Sequence, residues 1–407
     1  MNILFVANRF PYPPFRGDKL KIFNLAKQLS KRHNLNLITF IQDKNDYAYI
    51  DDLKEYFNEI EVVYLSKFQS AVNCLANLFS SKPMQIHYFR SYMFEKLVND
   101  FISRQSIDVI HTQHLRMAQY TYHIQNIPTV LDLPDAYSLY WKRRSMLCGN
   151  YFKKKFGMIE HKKVLKYESI IKNFDMTLVC SEEDKSLLEK EHKYDNLNIL
   201  PNGIDTSTFQ SDYHDYSINN RIIFTGNMDY FPNSDAAVYF SKEIFPEILK
   251  KHPQVKFYIV GQKPPKKVLD LQSENIIVTG FVNSIADEYR TSSIAVSPVR
   301  VGAGTLNKVL EPMAMGIPVV SSPIGFEGIG ALHGEEIILA NNKREFIDSV
   351  INLLSDQSYR QHIGEGGKNL VTQKFSWDKV SDQLESYFYQ ICGNKESVHP
   401  HTLQKAV

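Results

Sequence analysis

The 407-residue chain predicts an α/β protein made of two tandem Rossmann-like doubly wound domains facing across a cleft. Three observations carry that prediction. Short apolar runs alternate with amphipathic stretches of helical length. The alternation halts at Pro201-Asn202-Gly203-Ile204-Asp205 and then begins again. No run approaches ~18 uninterrupted apolar residues, so no membrane-spanning helix is expected.

The elements follow in order. Ile3 to Ala7 is a buried-strand run, and Leu20 to Arg32 carries Leu20, Phe23, Leu25, Ala26 and Leu29 at helical spacing. Further strands are expected at 35–40, 60–65, 107–111, 129–133 and 176–180. After the break, strands are expected at 221–225, 256–260, 276–278, 294–296 and 317–320, with a helix over 236–250. The first domain is placed at 1–205 and the second at 206–375, with the polar stretch Ser211 to Asn220 read as a linker. A helix over 376–393 is expected to pack back on the first domain. Residues 394–407 are polar and aperiodic, the pattern of a flexible tail.

Composition narrows the function. Hydrophobic residues make up 43% and charged residues 23%, which excludes extensive disorder. Lys plus Arg is 47 against 45 acidic residues, a net charge of +2, so nucleic acid is not an expected partner. Cys74, Cys148, Cys180 and Cys392 are scattered, suggesting neither a zinc site nor a disulfide framework, and a reducing cytoplasm is the expected location. Met1 to Ala7 is only a strand's length and lacks a charged leader, so no signal peptide is expected.

The most informative stretch is Ser297 to Val320. A strand leads into a loop containing Gly302 and Gly304, and a helix is expected to start near Thr305. Free N–H groups and the positive end of the helix dipole would then face the ligand edge of the sheet. Arg300 precedes the loop and Lys308 lies in the first turn, giving an anion site with two full positive charges. Glu311, three residues past Lys308, shares its helix face and could accept hydrogen bonds from vicinal sugar hydroxyls. Pro312 removes one backbone hydrogen bond from that helix and should kink it.

This segment resembles the donor-binding signature of the retaining GT-B glycosyltransferases of group 1 (family four), and within them the sugar transferases of exopolysaccharide clusters. Other matching stretches are Gly226 to Asn233, Gly280-Phe281-Val282, Pro201 to Asp205, Gly325 to Gly328, Pro13 to Lys19, Glu160 to Glu168 and Phe174-Asp175. The resemblance implies a nucleotide-diphosphate sugar as donor and no bound cofactor. It implies that Arg300 and Lys308 hold the diphosphate with Gly304 and Thr305 assisting. Glu311 would bind the ribose, Gly280, Phe281 and Val282 would lie near the base, Asn233 near the phosphates, and Gly17 in a loop approaching the diphosphate. Two departures stand out. Ala303 occupies the place where many relatives carry a first glutamate, and no Arg-Lys pair follows Gly226-Asn227-Met228.

On the acceptor side, Asp132 and Asp135 end a predicted strand, and Asp135 could orient sugar or acceptor; a turn or cap role is the alternative. His111 and His114 follow another strand end and read as structural histidines. No Asp-x-Asp strand end is present, so no metal is expected. Glu182-Glu183-Asp184 reads as a helix start after Ser181.

Residues 141–172 hold ten basic residues, with Trp141, Tyr151, Phe152 and Phe156 interleaved. This pattern fits an anionic membrane surface or a solvated helical face, and the former suits a glycan or lipid-linked acceptor. Two other functions fit the same architecture: a nucleotide-sugar 2-epimerase and a nucleotide-sugar-binding scaffold without turnover. A nicotinamide oxidoreductase does not, because the first strand leads into Asn8-Arg9-Phe10-Pro11 rather than G-x-G-x-x-G.

Overall fold

The computed structural model describes residues 1–14, 17–147, 150–192, 194–209, 214–218, 220–301 and 307–398. The chain divides into two compact units. The first is Met1–Leu200 together with the segment from Asp378 onward, and the second is Pro201–Trp377.

The first unit contains β1 (Asn2–Ala7), β2 (Asn34–Ile41), β3 (Glu59–Tyr64), β4 (Val109–Gln113), β5 (Thr129–Leu133), β6 (Met176–Val179) and β7 (Leu197–Ile199). They form one sheet in the order β3-β2-β1-β4-β5-β6-β7. Each pairing is parallel. The second unit contains β8 (Arg221–Thr225), β9 (Lys256–Val260), β10 (Ile276–Gly280), β11 (Ile294–Ser297), β12 (Val319–Ser321) and β13 (Ile338–Leu339). Its order is β10-β9-β8-β11-β12-β13, again parallel. In both sheets the strand order reverses about the first strand of the unit, which is where ligands bind in doubly wound folds.

Strand alternation builds the core on both faces. Ile222 and Phe224 of β8, with Ile294 and Val296 of β11, enter one apolar cluster. Ile223 and Ala295, between them, enter the cluster on the opposite face. A period of two therefore reads as a continuous apolar run, as expected of a sheet covered on both sides.

Several boundaries differ from expectation. The division falls at Leu200/Pro201 rather than after 205. The reason is a short zipper: Ile204 pairs with Ser376, and its N–H donates to the Phe375 carbonyl. Gly203 lies so close to the Trp377 indole that a Cβ would sit 2.4 Å from the ring. The stretch read as a linker is anchored over its described part. His214 and Tyr216 are buried, and the Tyr216 hydroxyl donates to the Gly316 carbonyl at 2.8 Å.

The helix expected over 236–250 starts earlier and is interrupted. It runs over Phe231–Tyr239, widens into a π turn at Phe240–Ile244 and resumes over Phe245–Lys251. Pro246 supplies the cause, because it has no N–H and its ring would clash with an ideal preceding turn. The last helix runs Trp377–Val398, five residues past the expected end. Nothing in Asn394 to Val398 breaks a helix, and Pro400 is the first residue that does. This helix returns to the first unit: Arg32 pairs with Asp382 at 2.9 Å, and Gln383 and the Tyr387 hydroxyl both donate to the Ile199 carbonyl at 3.0 Å.

Candidate functional site in the second unit

The carboxyl ends of β8, β9 and β10 are drawn together by backbone bonds. Gly226 N–H donates to the Val260 carbonyl, and Gly261 N–H donates to the Gly280 carbonyl, each at 3.0 Å. A Cβ on Gly261 would lie 1.8 Å from the Gly226 oxygen, so only glycine permits this approach. Beyond β8 the helix Phe231–Tyr239 begins, and beyond β11 the helix Asn307–Ala314 begins.

Those two helices bring the candidate side chains together. Asn233 is buried and is used at both ends. Its Nδ2 donates to the Asn227 carbonyl at 2.9 Å, and its Oδ1 accepts from the Lys308 ammonium. Asn233 thus ties the turn after β8 to the helix that carries Lys308. Burial pulls the Lys308 pKa down to about 8, with Glu311 opposing. The ammonium is therefore mostly, not fully, charged at neutral pH.

Arg300 donates through Nε and Nη2 to the two oxygens of Asp235, at 3.0 and 2.8 Å. Its guanidinium also sits over the Tyr239 ring, 4.4 Å from the centre. Glu311 accepts from the Tyr289 hydroxyl at 3.2 Å, and that hydroxyl also lies 2.6 Å from Thr225 Oγ1. Burial pushes the Glu311 carboxyl up to about 7, against the pull of Tyr289 and Lys308. Pro312 lies inside the eight-residue helix, so the Lys308 carbonyl lacks an N–H donor four residues on.

The structure thus joins Asn233, Arg300, Lys308 and Glu311 in one unit, and adds three residues that sequence reasoning assigned no site role: Asp235, Tyr289 and Thr225. Asp235 could have been found as the acid on the turn carrying Asn233. Tyr289 carried no signal, because its helix, Ile285–Arg290, lies between two strands and reads as core. Gly280 closes β10, Phe281 is exposed, and Val282 packs partly into the core. Gly302, Ala303, Gly304 and Thr305 lie outside the described residues.

The first unit sorts its candidates differently. Asp132 is buried in an ion pair with Lys21 at 2.7 Å, and His111 Nε2 lies 3.4 Å from its other oxygen. Burial alone would raise the Asp132 pKa, but Lys21 and His111 reverse that and hold it low. Both groups sit in the core of the fold. Asp135 is different: burial, then Asp184 and Glu168 nearby, push its carboxyl up to about 7, with Arg116 opposing. One oxygen is buried without a hydrogen-bond partner. Asp184 accepts from the Ala136 N–H at 3.1 Å, and Ser181 Oγ accepts from the Asp184 N–H at 3.0 Å, capping the helix Glu182–His192.

His114 is buried with φ of 80° and bonded by Arg116, and burial followed by the Arg116 charge holds it neutral. Gly17, expected in a loop, is the first residue of the helix Gly17–Leu29.

Two parallel doubly wound units, the second with paired basic and acidic side chains at its ligand edge, define the GT-B class of sugar transferases. Comparison with known proteins agrees. Residues 22–208 match the family model for Glycosyltransferase Family 4, and residues 219–356 match the model for Glycosyl transferases group 1. The chain belongs to the group 1 glycosyltransferases. It is 26% identical to a 44.6 kDa protein of the cps region of Klebsiella pneumoniae, over 94% of this chain and 98% of that one. It is 25% identical to the capsular polysaccharide biosynthesis glycosyltransferase CapM of Staphylococcus aureus, over 50% and 57%. Among solved structures, sucrose-phosphate synthase from Thermosynechococcus elongatus superposes with a TM-score of 0.74 at 14% identity, over 97% of this chain and 100% of that one. Anabaena HepE in complex with UDP and glucose gives 0.68 at 14%, over 96% and 100%. These structural likenesses concern the fold.

Proposed function

We propose that this glycosyltransferase moves a sugar, with retention, from a nucleotide-diphosphate donor to a glycan or lipid-linked glycan in polysaccharide biosynthesis. The observation that carries the donor half is the junction of Arg300, Lys308, Asn233 and Glu311 at the carboxyl edge of β8 and β11. The HepE complex with UDP and glucose supports the donor class, and the capsular role of CapM supports the pathway class.

The chemical difficulty is departure of a diphosphate from an anomeric carbon. Negative charge grows on the leaving oxygen while the sugar becomes oxocarbenium-like. Arg300 and Lys308 are the groups proposed to meet that charge, and removal of one such donor costs roughly 10²–10³ in rate. Glu311, oriented by Tyr289, is proposed for the ribose hydroxyls. Asp135 is proposed for the acceptor side. With two cations carrying the leaving-group charge, the reaction is expected to proceed in excess chelator, and loss of activity there would contradict this.

Among the described residues, no helix is long and apolar enough to cross a membrane. The basic stretch 141–172 is proposed to rest on anionic lipid at the cytoplasmic face. Thermal-shift measurement against a panel of nucleotide sugars tests the donor assignment, followed by NMR of the product. The expected outcome is stabilisation by one donor and a product with the donor's anomeric configuration. An inverted product overturns retention, and isomerised donor without acceptor replaces the transferase by an epimerase.

A further inference from the structure

The helix Lys67–Ala76 is built inside out. Its protein-facing side is small and polar: Ser70 is buried, Asn73 Nδ2 donates to the Arg90 carbonyl at 2.9 Å, and the Cys74 thiol lies 3.5 Å from the Met84 carbonyl. Its outward side carries Phe68, Val72 and Leu75, at steps of four and three residues, so they share one face. Leu78 and Phe79 continue that side in the following turn. Phe68 is 80% exposed and Phe79 98% exposed. Water-facing helices place these residue types the other way round.

The segment that carries this face is basic. From Ser66 to Phe94 the chain has Lys67, Lys82 and Arg90 and no acidic residue. The neighbouring helix Tyr151–Tyr167 carries six lysines and a single acid, Glu160. Glu160 is buried, and its Oε2 accepts the Met84 N–H at 3.0 Å. That bond fixes the lysine-rich helix beside the segment to which Cys74 and Asn73 are tied, and it takes that helix's single acid off the surface. The same helix begins with exposed Tyr151 and Phe152.

From this arrangement we infer that the Phe68–Phe79 face is a wedge that enters the acyl region of an anionic bilayer, with the lysines of 153–166 on the lipid headgroups. Apolar burial and attraction to anionic lipid are the two terms of interfacial binding, and this face supplies both. A second copy of the chain is a poorer occupant, because a two-fold contact sets each cationic rim against another. The inference deepens the lipid contact proposed for residues 141–172 and rests on it. It adds the inserted element.

The test uses the full chain and co-sedimentation with phosphatidylcholine vesicles, with and without phosphatidylglycerol. Binding to the anionic vesicles is expected. Leu75→Ser with Phe79→Ser should weaken it about tenfold or more while leaving the melting temperature unchanged, since both side chains are exposed. Lys153→Gln, Lys154→Gln and Lys155→Gln together should weaken binding and flatten its salt dependence. Leu75→Trp should be quenched by lipids brominated in their acyl chains. If the serine variant binds like wild type, the wedge is wrong, while salt-sensitive binding lost with the lysines leaves the electrostatic contact standing. Absence of binding by the wild type removes both. A wild-type dimer in light scattering that the serine variant dissolves also overturns the wedge, because the face then belongs to a second copy.

Discussion

Arg300 is clamped by Asp235 through two hydrogen bonds, 3.0 and 2.8 Å long, to the two carboxylate oxygens. The pairing is bidentate, so it fixes the plane of the guanidinium as well as its position. Asp235 sits two residues after Asn233, and Asn233 bonds Lys308. One turn of helix therefore sets the positions of both cations.

This geometry makes a prediction that simple charge removal does not. Arg300→Ala should lower kcat by roughly 10²–10³. Asp235→Asn should lower kcat/KM by about tenfold, mainly through the donor KM, because Arg300 keeps its charge but loses its orientation. In an Arg300→Ala background, Asp235→Asn should have almost no further effect, as expected for residues acting through one another. Additive losses measured in this double-mutant cycle would show that Asp235 does not act through Arg300.

Lys308 and Glu311 predict the pH profile. Lys308, pulled down to about 8, must be protonated to hold a diphosphate, so kcat/KM should fall as pH rises through about 8. Glu311, pushed up to about 7, must be ionised to accept two hydroxyls, so kcat/KM should rise as pH passes about 7. The free-enzyme profile is then a narrow bell, and Glu311→Gln should erase its acidic limb and move the alkaline limb to lower pH, because Lys308 then loses the carboxylate that supports its charge. A flat profile between pH 6 and 9, ~1 unit beyond each limb, would contradict both assignments.

The limits of the sequence reading show in these same residues. Arg300, Lys308 and Glu311 were legible because a strand, a glycine loop and a helix start follow one another within a short stretch, which is local information. The strand pattern was legible for the same reason, except at β7 and β13, whose three and two residues give no period to detect. Asp235 and Tyr289 were not legible as site residues. They meet Arg300 and Glu311 across 65 and 22 residues, and only the sheet order brings them together. Asp132 and Asp135 looked equivalent as acids three residues apart. What separates them is Lys21, 111 residues from Asp132, which neutralises that acid alone.

Tyr289 provides a test of how Glu311, the carboxylate proposed for the ribose hydroxyls, is held. Its hydroxyl bridges Thr225 and Glu311, and burial drives its own pKa well above the usual value, so it remains a donor at any working pH. Tyr289→Phe keeps the packing and removes one buried hydrogen-bond pair, which should cost about 1–2 kcal/mol of stability in urea denaturation. The donor KM should rise several-fold while kcat changes little. A fall in kcat with unchanged KM would place Tyr289 in the chemical step instead.

The Lys21–Asp132 pair should be among the costliest contacts of the first unit to break. Both side chains are almost fully buried, the distance is 2.7 Å, and Lys21 also donates to the Leu200 carbonyl at 3.3 Å. Lys21→Met leaves a carboxylate buried without its cation and should destabilise by about 3–5 kcal/mol. Adding Asp132→Asn should recover part of that loss, because no unpaired charge then remains. The pH dependence follows from the directions of the two shifts. The Asp132 pKa is held below its ordinary value, so its contribution is present above about pH 4 and is lost as pH falls through the folded-state value. The Lys21 pKa is raised: burial would lower it, but Asp132 and Cys180 outweigh burial, so its contribution is present below the ordinary lysine pKa and is lost only at strongly alkaline pH. Urea midpoints measured from pH 3 to 8, ~1 unit below and ~4 above the ordinary aspartate pKa, should therefore climb through the acid range in wild type and climb less in the double variant. Equal acid sensitivity in the two proteins would show that other carboxylates, not Asp132, set the acid limit of this fold.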